Sequence, residues 1–178
     1  MKFKAELMDE NSLRRAVVRM SHEILEKNGG TEGLCLCGIK RRGVPLAEMI
    51  RDTIFKIEGA ELKCTSIDVA FYRDDLSRLA SKPIVGNKTD FDVEDKTVVL
   101  VDDVIYTGRT VRAALDALVD LGRPAAVRLA VLIDRGHREL PIKPDFVGKN
   151  VPTSRSEVVE VMLPPFDDRT GVVLMEKD

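Results

Sequence analysis

A chain of 178 residues fits one ordinary domain, of a size that buries roughly 70% of its unfolded surface without a disulfide or metal staple. Its 44% apolar and 33% charged content excludes a disordered or membrane-embedded chain, and 28 Lys and Arg against 30 Asp and Glu exclude a coat of positive charge. Six Phe, two Tyr and no Trp exclude a wide aromatic platform for stacked bases.

The opening MKFKAELMDE has no apolar run of the signal-peptide kind, and no stretch reaches the roughly 18 apolar residues of a membrane span. A cytoplasmic protein with no membrane partner is expected. The first clear element runs from Ser12 to Lys27, where Leu13, Val17, Met20 and Ile24 recur at helical spacing and Asn28, Gly29 and Gly30 stop the helix. Leu34 to Ile39 reads as a buried strand. Its Cys35 and Cys37 alternate toward one face and, with Cys64, match no zinc spacing, so all three read as small core hydrophobes in a reducing compartment.

The Gly-flanked basic turn GIKRRG, Gly38 to Gly43, leads into a helix opened by Pro45 and reaching Ile57. Leu62 to Tyr72 reads as a second strand, followed by a long aperiodic loop from Leu76 to Asp95, a length that suggests a lid. Thr97 to Val101 is a short buried strand; a turn containing Gly108 opens a helix lasting to Leu121. Ala126 to Ile133 is the next buried strand, and short strands near Val158 to Leu163 and Val172 to Met175 form a hairpin around PPFDDRTG. The alternation of strands and helices specifies an α/β fold with a mainly parallel central sheet flanked by helices. Ligands of such sheets sit outside the carboxyl ends of strands, which singles out loops 40–43, 73–90, 102–110 and 134–138.

The chemistry concentrates in VVLVDDVIYTGRT, Val98 to Thr110. A buried strand delivers Asp102 and Asp103, and a Thr/Gly turn then opens a helix. Backbone N–H groups of Tyr106, Thr107, Gly108, Arg109 and Thr110, with the two Thr hydroxyls, the helix dipole and the Arg109 charge, make a cradle for a phosphate dianion. The two carboxylates can accept hydrogen bonds from sugar hydroxyls and help hold Mg²⁺ directly or through water. GxxxxGK[ST] and GxGxxG are both absent, so this is neither a Walker loop nor a dinucleotide fingerprint.

This segment resembles the 5-phosphoribosyl-1-pyrophosphate (PRPP) motif of the type I phosphoribosyltransferases. The resemblance implies a single phosphoribosyltransferase domain over residues 1–178. It also implies ribose binding and catalysis by Asp102 and Asp103, and a PRPP site running through Val104, Ile105, Tyr106, Thr107, Gly108, Arg109 and Thr110. GIKRRG resembles the family's pyrophosphate loop, implying that Lys40, Arg41, Arg42 and Gly43 receive the leaving diphosphate; alone it reads equally well as a solvated basic turn. FYRDDL resembles the start of the flexible hood, implying that Arg73, Asp74 and Asp75 close over PRPP and exclude water from an oxocarbenium-like transition state.

DLGRP, DRGHRELPI and GKNVPTSRSE further resemble the attenuation regulators of pyrimidine operons, which bind leader RNA and act as uracil phosphoribosyltransferases. That resemblance implies uracil binding near Arg135 and Val159, with Mg²⁺ on the diphosphate and neither histidine needed as a base. It implies RNA binding by Arg19, His22, His137, Arg138, Lys143 and Lys149 on a concave face of a homo-oligomer, a dimer or larger, and control by UMP or UTP. By spacing alone Arg15, Arg19 and His22 are a solvated charged helix face and the later basic residues a solvated loop. Val18 and Lys143 replace the Thr and Arg common in RNA-binding members. Two alternatives stay open: a regulator that uses the PRPP pocket only as a nucleotide sensor, and a phosphoribosyltransferase for another base with no RNA role. The near-neutral total hides a restricted basic face, with Arg14, Arg15 and Arg19 on one helix and Lys40, Arg41 and Arg42 in one turn.

Overall fold

The computed structural model describes residues 1–69 and 92–177. The expected hood residues Arg73, Asp74 and Asp75 lie outside the described residues. So does most of the aperiodic loop and the far end of the strand expected over Leu62 to Tyr72.

The described elements are β1 (Lys2–Met8), α1 (Glu10–Asn28), β2 (Leu34–Ile39), α2 (Gly43–Glu58), β3 (Lys63–Ile67), β4 (Thr97–Ile105), α3 (Arg109–Val119), β5 (Ala126–Asp134), β6 (Phe146–Asn150), β7 (Glu157–Met162) and β8 (Gly171–Glu176). Five strands form a parallel sheet in the order β3-β2-β4-β5-β6, and β1-β8-β7 form a separate antiparallel sheet. Among the described residues, α2 links β2 to β3 and α3 links β4 to β5, the helical crossovers that parallel neighbours need.

Local signals account for most boundaries. The Asp9 carboxylate accepts the Ser12 N–H at 2.7 Å and starts α1 two residues before Ser12; Gly29, with φ 73°, ends it as Gly30 N–H returns to the Leu25 carbonyl. Pro45 falls in the first turn of α2, where its missing N–H costs nothing. Leu13, Met20 and Ile24 of α1 are fully buried, each contributing about 1.5–3 kcal/mol.

The alternation of each strand sorts the core into two layers. Leu34 and Leu36 of β2, Val99 and Val101 of β4, and Ala130 and Leu132 of β5 pack with α1 and α2. Cys35, Cys37, Val98, Leu100, Leu129 and Val131 face the other way, toward α3. The expectation that both strand cysteines share one buried face therefore holds. The small sheet contributes Met8, Val159, Val161, Val172 and Leu174 to the first layer, which ties it to α1 and α2.

Four readings need correction. The strand expected over Leu62 to Tyr72 is the shorter β3, and Asp68 and Val69 already lie outside it. The strand expected to end at Val101 runs on to Ile105, so Asp102 and Asp103 lie inside the pairing of β4 with β5 rather than beyond its end. β1 and β6 were not expected at all. The helix expected to reach Leu121 stops at Val119, its last turns closed by Leu121 and Gly122 N–H groups on the Leu118 and Val119 carbonyls.

Candidate functional site

The carboxyl ends of β2, β4 and β5 open onto one region, and β4 places the acidic pair there. Asp102 is buried and Asp103 half-buried. The Asp102 carboxylate accepts the Asp103 N–H at 3.0 Å, and the Asp103 carboxylate accepts the Val104 N–H at 2.8 Å. Burial pushes the Asp102 carboxyl well above the usual range, and the adjacent Asp103 charge adds to the effect. Burial also raises Asp103, offset in part by hydrogen bonds and by the Arg42 charge. Two crowded carboxylates held this way call for hydrogen-bond donors or a cation.

Beside Asp102 lies a partly open pocket of about 160 Å³, lined by Asp102, Val104, Ile105, Tyr106, Thr107, Gly108, Arg109, Thr110 and Val111. Gly108, at φ 92°, turns the chain into the N-terminus of α3, whose first residues Arg109, Thr110 and Val111 line this space. The expected cradle residues are thus brought together, with room for a phosphate group.

The segment after β5 holds the cradle from behind. Glu139 and Leu140 N–H groups donate to the Thr107 carbonyl, at 2.9 and 3.1 Å, and Arg138 Nη1 donates to the Tyr106 carbonyl at 3.1 Å. Arg135 is buried at 6% exposure, its guanidinium donating to Thr153 Oγ1, the Ser154 carbonyl and the Glu157 carbonyl while lying over the Tyr106 ring. The Arg135 side chain is thus committed inside the protein, and its N–H donates to the Ile105 carbonyl at the end of β4. Val159, buried on β7, packs in the first core layer, and β7 reaches β4.

The basic turn splits. Lys40 Nζ lies 3.9 Å from Asp68, Arg41 is exposed, and Arg42 pairs with Asp167 of the β7–β8 hairpin. Gly43 is buried so closely against the Val101 carbonyl that a Cβ would collide with it, and a Cβ on Gly38 would sit 2.6 Å from Val44 Cα. The Gly43 contact seats the turn against β4, the strand that bears the acidic pair.

The basic residues form two groups. Arg15, Arg19 and His22 are exposed along α1. Arg19 pairs with Glu23 at 2.9 Å and donates to the Val147 and Gly148 carbonyls, while Lys149 Nζ donates to the Leu7 carbonyl. A cavity of about 350 Å³ brings Arg15, Arg19 and Lys149 together. The second group stands at the cradle: His137 meets Tyr106 edge-on at 5.8 Å, and half-buried Arg138 also binds the Asp134 carboxylate and the Ile142 carbonyl. Lys143 is exposed. Sequence reading missed Asp167 and Glu139, whose partners Arg42 and Arg109 lie 125 and 30 residues away and leave no local signal.

Among the described residues no helix is long and apolar enough to cross a membrane. A phosphoribosyl transferase domain profile matches residues 5–164. The bifunctional protein PyrR of Caldicellulosiruptor bescii is 60% identical over 178 residues, covering 99% of this chain and 97% of the relative. That of Acetivibrio thermocellus is 61% identical over 174 residues, covering 97% and 95%. In fold the chain is similar to the hypoxanthine phosphoribosyltransferase of Trypanosoma cruzi, with a TM-score of 0.75, 16% identity, and 99% and 98% of the two chains covered. A profile match across this span and relatives this similar along their whole length mean that the chain belongs to the phosphoribosyltransferase family and, within it, to the bifunctional PyrR proteins.

Proposed function

We propose that the chain, acting as one domain, is a uracil phosphoribosyltransferase and also the RNA-binding attenuation regulator of a pyrimidine operon. The observation that carries the enzymatic reading is the pair of buried Asp102 and half-buried Asp103 beside a pocket at a helix N-terminus. The 5′-phosphate of PRPP sits on the N–H groups of the cradle, and the ribose hydroxyls donate to the two carboxylates. The N1–C1′ bond to uracil forms as the C1′–O bond to diphosphate breaks; the bonding pair leaves with the diphosphate, and the N1 proton is lost to solvent. Negative charge on the acidic pair supports the positive charge that develops on the ribosyl group, and the basic turn receives the diphosphate.

Two carboxylates fit Mg²⁺ as it is met in phosphate sites. Among the described residues no cluster of three or more His, Cys, Asp or Glu could enclose a metal ion, so substrate oxygens and water would complete its shell. Bound there, it would neutralise charge on the leaving diphosphate.

The regulatory reading rests on the similarity to PyrR proteins and on the groove where Arg15, Arg19 and Lys149 converge. Leader RNA binds this exposed basic face in a homo-oligomer, a dimer or larger, in the cytoplasm. UMP or UTP in the active site raises RNA affinity. The test pairs two assays. Uracil, hypoxanthine and orotate are each incubated with PRPP and Mg²⁺, and leader RNA is titrated with and without UMP. UMP formation from uracil alone and tighter RNA binding with UMP are expected. Equal RNA affinity in both conditions contradicts the regulatory half.

A further inference from the structure

The hairpin tip between β7 and β8 reaches across the molecule to the turn before α2. Arg42 Nε and Nη2 donate to the two carboxylate oxygens of Asp167, at 3.2 and 3.0 Å. Contact at two points fixes the plane of the guanidinium as well as its position. Asp167 is itself anchored, because its carboxylate accepts the Leu163 N–H at 2.9 Å and its N–H returns to the Leu163 carbonyl at 3.1 Å. The other end of the clasp is equally firm. Arg42 immediately precedes α2, and Gly43 is pressed against the Val101 carbonyl next to Asp102. Arg42 is therefore held between two rigid supports, its Nε–Nη2 edge taken by Asp167 among the described residues. Nη1 and the outer hydrogen of Nη2 are left for another anion.

The surrounding charge indicates why such a support is needed. Asp103 and Glu160 lie within electrostatic reach of Arg42 in addition to Asp167. A long arginine side chain with three acidic neighbours has several alternative partners, and holding it in one orientation costs side-chain entropy each time a substrate binds. A clasp meets that cost during folding.

We infer that Asp167 is a positioning residue for the diphosphate end of the site: it holds the Arg42 guanidinium so that its free edge faces the diphosphate of PRPP and the pyrophosphate product. The inference rests on the proposed phosphoribosyl transfer and adds a residue to it. It also joins two ends of the substrate site, since Asp167 extends from the same hairpin that carries Val159.

The experiment compares full-length wild type with Asp167→Ala, Asp167→Asn and Asp167→Glu. The Asn variant keeps an oxygen for the Leu163 N–H, which separates loss of the Arg42 charge pair from loss of the turn. Steady-state rates are measured against PRPP and uracil separately, with pyrophosphate as product inhibitor, and Mg²⁺-pyrophosphate binding is followed by calorimetry. Asp167→Ala is expected to raise the KM for PRPP and the pyrophosphate dissociation constant by about tenfold, with uracil KM at saturating PRPP unchanged. Asp167→Glu recovers part of the loss, and Asp167→Ala adds nothing in an Arg42→Ala background. Unchanged or tighter pyrophosphate binding in Asp167→Ala overturns the inference, as does an equal rise in uracil KM. If wild type makes no UMP, the transferase reading fails while the calorimetric arm still decides the role of Asp167.

Discussion

The Arg135 guanidinium carbon lies 4.1 Å from the centre of the Tyr106 ring. One residue belongs to the turn before α3 and the other to the segment after β5, so the stack fastens that turn to the strand end behind it. The same guanidinium donates to two carbonyls and a hydroxyl between Thr153 and Glu157, the stretch that leads into β7. Arg135→Leu strands those acceptors and removes the stack. A loss of about 2–4 kcal/mol in denaturant unfolding is expected, together with a higher KM for PRPP. Wild-type stability in this variant would mean the network is dispensable.

Asp103→Asn separates function from stability. The carboxyl groups of Asp102 and Asp103 are both pushed upward, by burial first, with mutual repulsion adding to it at Asp102. Removing one charge relieves that crowding, so the thermal midpoint should stay level or rise while kcat falls by about 100-fold or more. Parallel loss of both would point to a structural role for the pair.

Gly43→Ala tests the seating of the basic turn. The added methyl meets the Val101 carbonyl and the Asp102 Cα, both backbone atoms of a central strand. Overpacking of this kind costs about 1–3 kcal/mol, and the displaced turn should weaken pyrophosphate binding by calorimetry. A variant that folds and binds like wild type would show that the turn has slack.

Asp145 carries a pH signature of the α1–β5 packing. Burial alone would raise its carboxyl, but Lys27 at 2.7 Å and the Leu129 N–H at 2.9 Å outweigh that and hold it below the usual range. A depressed folded value stabilises the fold above the unfolded pKa of about 3.9, and that stability is lost as pH falls through the folded value. Wild type should therefore exceed Asp145→Asn in stability by a constant amount from about pH 5 to 8, and the gap should close below about pH 4. A gap independent of pH contradicts the ion pair.

The thiols should be inert. Burial pushes Cys35 up to about 11, Cys37 to about 12 and Cys64 to about 11, so little thiolate exists at neutral pH. Alkylation by iodoacetamide at pH 8 should wait for unfolding; rapid labelling of the native protein would contradict this packing.

Most of the candidate site is legible in the sequence because its residues are contiguous. Asp102 to Thr110 form one unbroken strand–turn–helix, and the α1 stripe repeats at helical spacing. What escaped depends on partners far away in the chain. β1 has only Met8 buried, and its ladder partner β8 lies at the other end of the sequence, so KFKAELM shows no strand pattern of its own. The extension of β4 was hidden because carboxylates are uncommon in strands, yet here Asp102 pairs with Val131 in the ladder. Arg138 looks in sequence like any exposed basic loop residue. Only the fold reveals that its guanidinium clamps the Tyr106 carbonyl to Asp134.

The most direct test of the central claim is product formation from uracil, PRPP and Mg²⁺ by the full-length protein, with UMP and pyrophosphate measured together. Equal amounts of both are expected, with no comparable product from hypoxanthine or orotate, and loss of both products in Asp103→Asn. Faster turnover of another base, or undiminished UMP formation by Asp103→Asn, would contradict it.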